Sequence, residues 1–298
     1  MFRSVTAGLD GSRESLAAVD WAAHEALARE VPLRLIQVRE AGAYPYTPLV
    51  DDDVEREWAQ TLTNEVLDQL GQRLPELRTD VEMLSGRPAH VLADFSAETD
   101  LMVLGSRGLS SVLGFIVGST ALPTVAHTAC PVVLVRARPS GEFESAEDFF
   151  PTSEPPSGEI VLGVDLSRPC DELFAFAFES AARHAAALRV VHAWNLPQTY
   201  GLRPLPVPPT MSGELLAAQN EALAAALHPW QESHPEVKVH AEAEIGHPAR
   251  LLVESASQAS LLVVGRRNRR SRLGTHLGPV THAVMHHART PVAVVPHD

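Results

Sequence analysis

Two rhythms of apolar residues alternate along the chain. Short continuous runs, Ser4 to Leu9, Leu33 to Val38, Leu101 to Leu104 and Val132 to Val135, read as strands buried on both faces. Between them apolar positions recur at helical spacing: Leu16, Val19, Ala23 and Leu27 share one face, as do Val54, Trp58, Leu62, Val66 and Leu70. Ser12 or a neighbour can cap the first of these helices. Val81 to Leu84 is a third strand, and Pro88 suits the first position of a short helix. Helices interposed between β-branched strands predict a parallel, doubly wound α/β domain. In such sheets ligands bind beyond the carboxyl ends of the strands, where strand order reverses. Asp10, Val38 and Gly105 end the first, second and fourth strands, and they converge there if the first and fourth are neighbours.

The pattern then repeats. TAGLDGS at Thr6 to Ser12 returns as LGVDLS at Leu162 to Ser167, and SGRPAHVL at Ser85 to Leu92 as IGHPARLL at Ile245 to Leu252. LMVLGSRG at Leu101 to Gly108 returns as LLVVGRRN at Leu261 to Asn268, and CPVVLV at Cys130 to Val135 as TPVAVV at Thr290 to Val295. Order is kept throughout, so the chain reads as a duplicated domain. The offset grows from 155 residues at Asp10 and Asp165 to 160 at Gly105 and Gly265, which places five extra residues between the second strand and Gly86 or its counterpart. We expect domains over residues 1–137 and 158–298, joined by an acidic, Pro- and Ser-rich linker over 138–157 whose Phe143, Phe149 and Phe150 could dock on a domain.

Composition narrows the function classes. A chain of 298 residues suits two domains with substantial cores. Its net charge of −13 opposes a general nucleic-acid or anionic-membrane binder. No apolar run approaches the ~18 residues that span a bilayer, and the opening residues lack a signal-peptide core, so a cytoplasmic protein is expected, with no nucleic-acid or membrane partner. Cys130 and Cys170 belong to no metal-spaced cluster and read as small buried hydrophobes.

The densest chemistry lies in GSRGLSSVLGFIVGS, Gly105 to Ser119. Glycines permit close backbone approach and positive φ, so consecutive N–H groups can surround one anion, and serine hydroxyls add donors. Gly118-Ser119 stands where a helix could begin and offer its unpaired N–H groups to phosphate. Pro123 opposes that contribution, because a helix starting at Gly118 would kink or begin late. The bland alternative is a tight β–α turn, and Asp10 alone could be a helix cap.

Gly105-x-x-Gly108, nine residues, then Gly118-Ser119, together with Gly8-Leu-Asp10-Gly-Ser12, closely resembles the ATP-binding class of universal stress proteins. Gly86-Arg-Pro88 and Cys130-Pro131 with the following apolar run are similar too. The resemblance implies tandem adenine nucleotide alpha hydrolase-like domains, each with five parallel strands in the order 3-2-1-4-5, paired through their fifth strands, in a chain that forms a homodimer. It implies ATP with Mg²⁺ as ligands. Carried over, Gly8 and Asp10 meet the ribose, the phosphates or Mg²⁺, with Asp10 as metal ligand. The Val38 backbone meets adenine. Gly105, Gly108, Gly118 and Ser119 hold the triphosphate, and Ser106, Arg107, Leu109, Ser110 and Ser111 line the loop.

The second copy departs from this pattern. Gly163, Asp165, Ala193, Gly265 and Gly278 keep their places, but Asn268 replaces the second glycine and Pro279 replaces the serine, removing an amide donor and a hydroxyl. Arg266, Arg267, Arg269, Arg270 and Arg272 could compensate electrostatically or form a solvated basic loop. Weaker ATP binding is expected here. His282 and His286, at i and i+4 with His287 beside them, allow a surface metal site but read more simply as an exposed helix. The leading expectation is an ATP-binding stress-response regulator whose nucleotide biases conformation or the choice of an unidentified protein partner. Alternatives are slow ATP hydrolysis or autophosphorylation, for which no general base is identifiable, and a nucleotide-independent scaffold.

Overall fold

Ser12 opens the first helix: its hydroxyl accepts the Ser15 N–H at 3.2 Å, capping α1 (Arg13–Ala28) directly after β1 (Val5–Gly8). The computed structural model describes residues 4–40, 52–106, 118–137, 158–168, 170–194, 209–268 and 277–298, with the backbone alone for 52–56 and 209–212. The chain divides into two units, Met1–Pro155 and Pro156–Asp298. In the first, β2 (Leu33–Arg39), α2 (Asp52–Arg73), β3 (Thr79–Ser85), α3 (Pro88–Phe95), β4 (Leu101–Gly105), α4 (Ala121–His127) and β5 (Val132–Val135) follow in turn. The second repeats them as β6 (Ile160–Gly163), α5 (Asp171–Arg183), β7 (Leu188–Trp194), α6 (Pro209–Ser233), β8 (Val239–Ile245), α7 (Pro248–Ser255), β9 (Leu261–Arg267), α8 (Pro279–His287) and β10 (Val292–His297).

Within each unit the described strand pairs are parallel. In the first unit β1 lies between β2 and β4, β3 outside β2 and β5 outside β4, the order 3-2-1-4-5. The second unit repeats it, with β6 between β7 and β9. Val5 sits opposite both Leu33 and Leu101, and all three are fully buried, as expected where helices cover both faces of a sheet. The bond from Gln37 to Ala59 spans 22 residues and that from His192 to Gln219 spans 27, so the five extra residues of the second unit lie between His192 and Gln219.

Helix α2 departs from the even apolar face that its spacing predicts. Val66 and Leu70 are buried, but Trp58 is 57% exposed. The helix has 22 residues, about 33 Å, whereas β2 has seven, about 23 Å, so the two cannot be coextensive. Its end packs near the amino edge of the sheet, where Leu33 N–H donates to Arg78 O at 2.9 Å. Its first turns therefore overhang the carboxyl edge.

Both cysteines are free and buried. Burial pushes the Cys170 thiol up to about 11, and the neighbouring Glu172 carboxylate, 3.2 Å away, adds to the effect. At pH 8 the thiolate is then a very small fraction. Alkylation of the folded chain by iodoacetamide at that pH is expected to leave Cys170 unmodified on a timescale that consumes a free thiol; rapid labelling would contradict this environment.

Candidate functional site

The register of β1 creates the crevice. Its pairing with β4 ends at Ala7 opposite Val103 and that with β2 at Gly8 opposite Ile36, after which Leu9 N–H donates to Ile36 O at 2.9 Å. Strand β2 runs on to Arg39, whose carbonyl accepts Gly86 N–H at 2.9 Å on the β3 side. Successive peptides of a strand face opposite neighbours. With Ile36 facing β1 and Arg39 facing β3, the N–H and C=O of Val38 face the β1 side, beyond the end of β1. One peptide donor and one acceptor thus stand at the point where strand order reverses.

Asp10 is exposed at the same edge, just past Gly8, whose close neighbour is Leu104 of β4. Asp10 Oδ1 accepts both the Ser12 N–H at 2.9 Å and the Ser12 hydroxyl at 2.5 Å, while its own N–H donates to Ser15 Oγ at 3.3 Å. These bonds fix the carboxylate at the start of α1. Gly11 has φ +79°, and a Cβ there would lie 2.7 Å from Trp58 Cη2 and 2.9 Å from Leu62 Cδ2. Glycine is required by conformation and space alike.

Gly105 ends β4 against the opposite side of this turn. A Cβ on it would lie 2.5 Å from the carbonyl carbon of Glu14 and 2.7 Å from both Glu14 O and Ser15 N. The absent side chain lets the first turn of α1 rest on the strand. Ser106, expected in the lining of the loop, is instead buried: its N–H donates to Val135 O at 2.8 Å and its hydroxyl to the same oxygen at 3.3 Å. Gly118 is half-buried and Ser119 exposed in the turn before α4. The helix begins only at Ala121, with Pro123 in its first turn, the late start that proline imposes. Arg136 follows β5, and burial lowers its guanidinium to about 10, which leaves it positive at neutral pH. Arg107, Gly108, Leu109, Ser110 and Ser111 lie outside the described residues.

The second unit builds the corresponding edge differently. Asp165, also exposed, repeats the local bonds, accepting the Ser167 N–H at 3.0 Å and its hydroxyl at 2.6 Å. Val164 N–H donates to Val191 O at 3.1 Å and Gly246 N–H to Trp194 O at 2.9 Å, so the Ala193 peptide faces the switch point as Val38 does. Gly163 ends β6 against Leu252. Helix α5, however, starts at Asp171, three positions later than α1 in the repeat, because Arg168 precedes a proline and is thereby disfavoured from the helical region. The atoms nearest to where a Cβ on Gly265 would stand are then side-chain atoms, His297 Nε2 at 2.7 Å and, beyond the ring, Leu173 at 3.5 Å.

Strand β9 also runs two residues past Gly265, pairing Arg266 with Pro296 and Arg267 with His297. Arg266 is buried at the position that Ser106 holds in the first unit. Arg267 Nη2 stands 3.7 Å from Asp165 Oδ2, so this unit sets its own guanidinium beside its strand-end carboxylate. Gly278 and Pro279 are the N-cap and first residue of α8, a helix begun two positions earlier than α4.

Among the described residues no group of three or more His, Cys, Asp and Glu side chains could hold a metal ion. His282 and His286 have ring centroids 4.5 Å apart, and burial, then His286, holds His282 below the ordinary imidazole value. Asp10 brings one carboxylate, which suits Mg²⁺ when phosphates supply other ligands, since that ion is commonly held by one or two carboxylates plus phosphate oxygens. Among the described residues no helix is long and apolar enough to cross a membrane.

Fold and crevice together define a tandem pair of doubly wound α/β units, each with a switch-point site at its carboxyl edge. The model of the universal stress protein family matches residues 1–136 and 157–296, and the chain belongs to that family. It is similar to the universal stress protein Rv2005c of Mycobacterium tuberculosis, 30% identical over 300 residues covering 97% of this chain and 96% of the relative. A universal stress protein of Mycolicibacterium smegmatis is 33% identical over 303 residues, covering 98% and 96%. The crystal structure of a universal stress protein from Archaeoglobus fulgidus shares the fold, with a TM-score of 0.68, 16% identity, and coverage of 99% of this chain and 98% of that one.

Proposed function

We propose that the first unit binds ATP with Mg²⁺ at the carboxyl edge of its sheet, and that the bound nucleotide regulates a stress response by biasing the conformation or partner choice of the chain. The observation that carries this reading is the convergence of the Val38 peptide, facing past the end of β1, with the exposed Asp10 carboxylate and the end of β4 at one switch point. The peptide offers a donor and an acceptor to the edge of a base, and Asp10 serves the ribose or a phosphate-bound Mg²⁺. Gly118 and Ser119 add a backbone N–H and a hydroxyl at the far end of the glycine loop.

In the second unit Pro279 in place of a serine, which brings neither an N–H nor a hydroxyl, and the lengthened β9 oppose the same mode of binding. Calorimetric titration with Mg·ATP is therefore expected to give one site per chain. The double variant Gly118→Ala, Ser119→Ala should bind at least about tenfold more weakly, the size of one lost hydrogen bond to a charged group. Absence of binding by the unaltered chain, with no nucleotide released on denaturation, would refute the reading. Two equal sites would refute the ranking of the units. Incubation with γ-labelled ATP distinguishes a binding protein, which leaves the label on ATP, from one that hydrolyses it or transfers it to itself.

A further inference from the structure

Trp58 stands at the crevice in a manner that core packing does not account for. Its side chain is 57% exposed, whereas Val66 and Leu70, further along the same helix, are buried. An exposed indole leaves a large apolar face in water, and Trp is enriched at interfaces because it joins that face to a polar N–H. Two contacts fix its place. The tip of the ring lies over Gly11, the residue after Asp10, close enough that a Cβ there would be 2.7 Å from Cη2. The next residue, Ala59, accepts a hydrogen bond at 3.4 Å from Nε2 of Gln37, the residue before Val38. Trp58 is thereby tied both to the strand end that carries the Val38 peptide and to the turn that carries Asp10.

The second unit supplies an internal comparison. His192 stands at the position of Gln37 and its ring bonds to the Gln219 side chain at 3.1 Å. Helices α2 and α6 end on matching bonds, Leu74 N–H to Leu70 O and His234 N–H to Trp230 O, and that offset places Gln219 at Ala59 and Ala218 at Trp58. The aromatic is missing from the unit that has also lost the second glycine and the serine of the loop.

We infer that Trp58 is a base-stacking residue of the first unit, its exposed indole face forming one wall for the purine of a bound nucleotide; this rests on the nucleotide reading above. Stacking accepts any base because every base has a π-face, so Trp58 supplies affinity while the Val38 peptide reads the base edge. Removing the indole should then weaken ATP and GTP by the same factor. The length of α2 explains why the ring can serve: Trp58 lies where the helix passes the end of β2, with Ala59 bonded to Gln37 and the indole tip over Gly11.

The test uses the full chain with Mg·ATP and Mg·GTP, measured by calorimetry and by tryptophan fluorescence. Trp58→Ala and Trp58→Leu are both made, the second because leucine preserves apolar cover over Gly11 and Leu62. Both should bind Mg·ATP about tenfold or more weakly, with the ratio of ATP to GTP affinity unchanged, and Trp58→Phe should retain most of the affinity. The fluorescence change on adding Mg·ATP to the unaltered chain should vanish in Trp58→Phe although calorimetry still records binding. Unaltered affinity in Trp58→Leu overturns the stacking role and leaves the nucleotide site standing. A failure of the unaltered chain to bind Mg·ATP overturns both.

Discussion

Gly105→Ala is expected to destabilise the chain by about 3 kcal/mol, read as a lower urea midpoint with little change in slope. The new Cβ would lie 2.5 Å from the carbonyl carbon of Glu14 and 2.7 Å from Glu14 O and Ser15 N. These are backbone atoms of the first turn of α1, held by the Ser12 cap and by the Asp10 and Ser15 bonds, so no side-chain rotation relieves the clash. The helix must lift from β4, or the strand must bend. Gly265→Ala is the control. It meets the Nε2 and Cδ2 atoms of His297, at 2.7 and 2.9 Å, and these are side-chain atoms that a ring rotation moves away, so a cost under about 1 kcal/mol is expected. Equal effects of the two substitutions would show that the packing argument is wrong. Lifting α1 also displaces Ser12 and Asp10, so Mg·ATP affinity should fall in Gly105→Ala. That fall is no evidence of a phosphate contact by Gly105, and the binding test above uses Gly118 and Ser119 for this reason.

The same residue shows how far the sequence could be read. Strand runs, helical spacing and the two offsets of the repeat disclosed both α/β units and their parallel sheets, because local periodicity reports which faces are buried. They disclosed the glycine stretch and Asp10 by type and spacing. They could not disclose that Gly105 is a glycine to admit the backbone of α1, since that neighbour lies about ninety positions away in sequence. Ser106 looked like a donor for the loop by composition, yet its hydroxyl turns to Val135, a partner visible only once β4 and β5 are paired. Trp58 fell on the apolar stripe of α2, and only the mismatch between helix and strand lengths exposes it.

The second unit's differences have the same character. Asn268 and Pro279 were legible as losses from the motif. The late start of α5, the extension of β9 to Arg267 and the use of His297 to cover Gly265 are linked adjustments that no single position announces. Once α5 begins at Asp171 the surface of Gly265 needs another cover, and the longer β10 brings His297 to it. Arg267, carried to the edge by the longer β9, then reaches Asp165. At a switch point of the same topology the second unit thus sets a guanidinium beside its strand-end carboxylate.

Phe178→Ala is expected to cost about 4 kcal/mol, the range for deleting a fully buried phenyl ring. Phe178 is 0% exposed, with its centroid 6.0 Å from that of Trp230 at an interplanar angle of 27°, and 5.7 Å from that of His234. The repeat places Ala23 at the position of Phe178 and Leu70 at that of Trp230, and both are buried in the first unit. One architecture therefore closes its helical layer with small and aliphatic side chains in one unit and with an aromatic stack in the other. Truncating Phe178 removes the inner ring of that stack while Trp230, also stacked on Phe174 at 6.0 Å, stays held by its second partner and cannot collapse into the space. The cavity term then adds to the transfer term, whereas Phe178→Leu, which refills most of the volume, should cost about 1.5 kcal/mol. The reciprocal change, Ala23→Phe, inserts a ring where none fits and should destabilise by about 3 kcal/mol or more. Urea midpoints of the three variants check the ordering. A Phe178→Ala loss below about 1 kcal/mol would mean that α5 and α6 close over the gap, and that the aromatic stack is not what separates these helices.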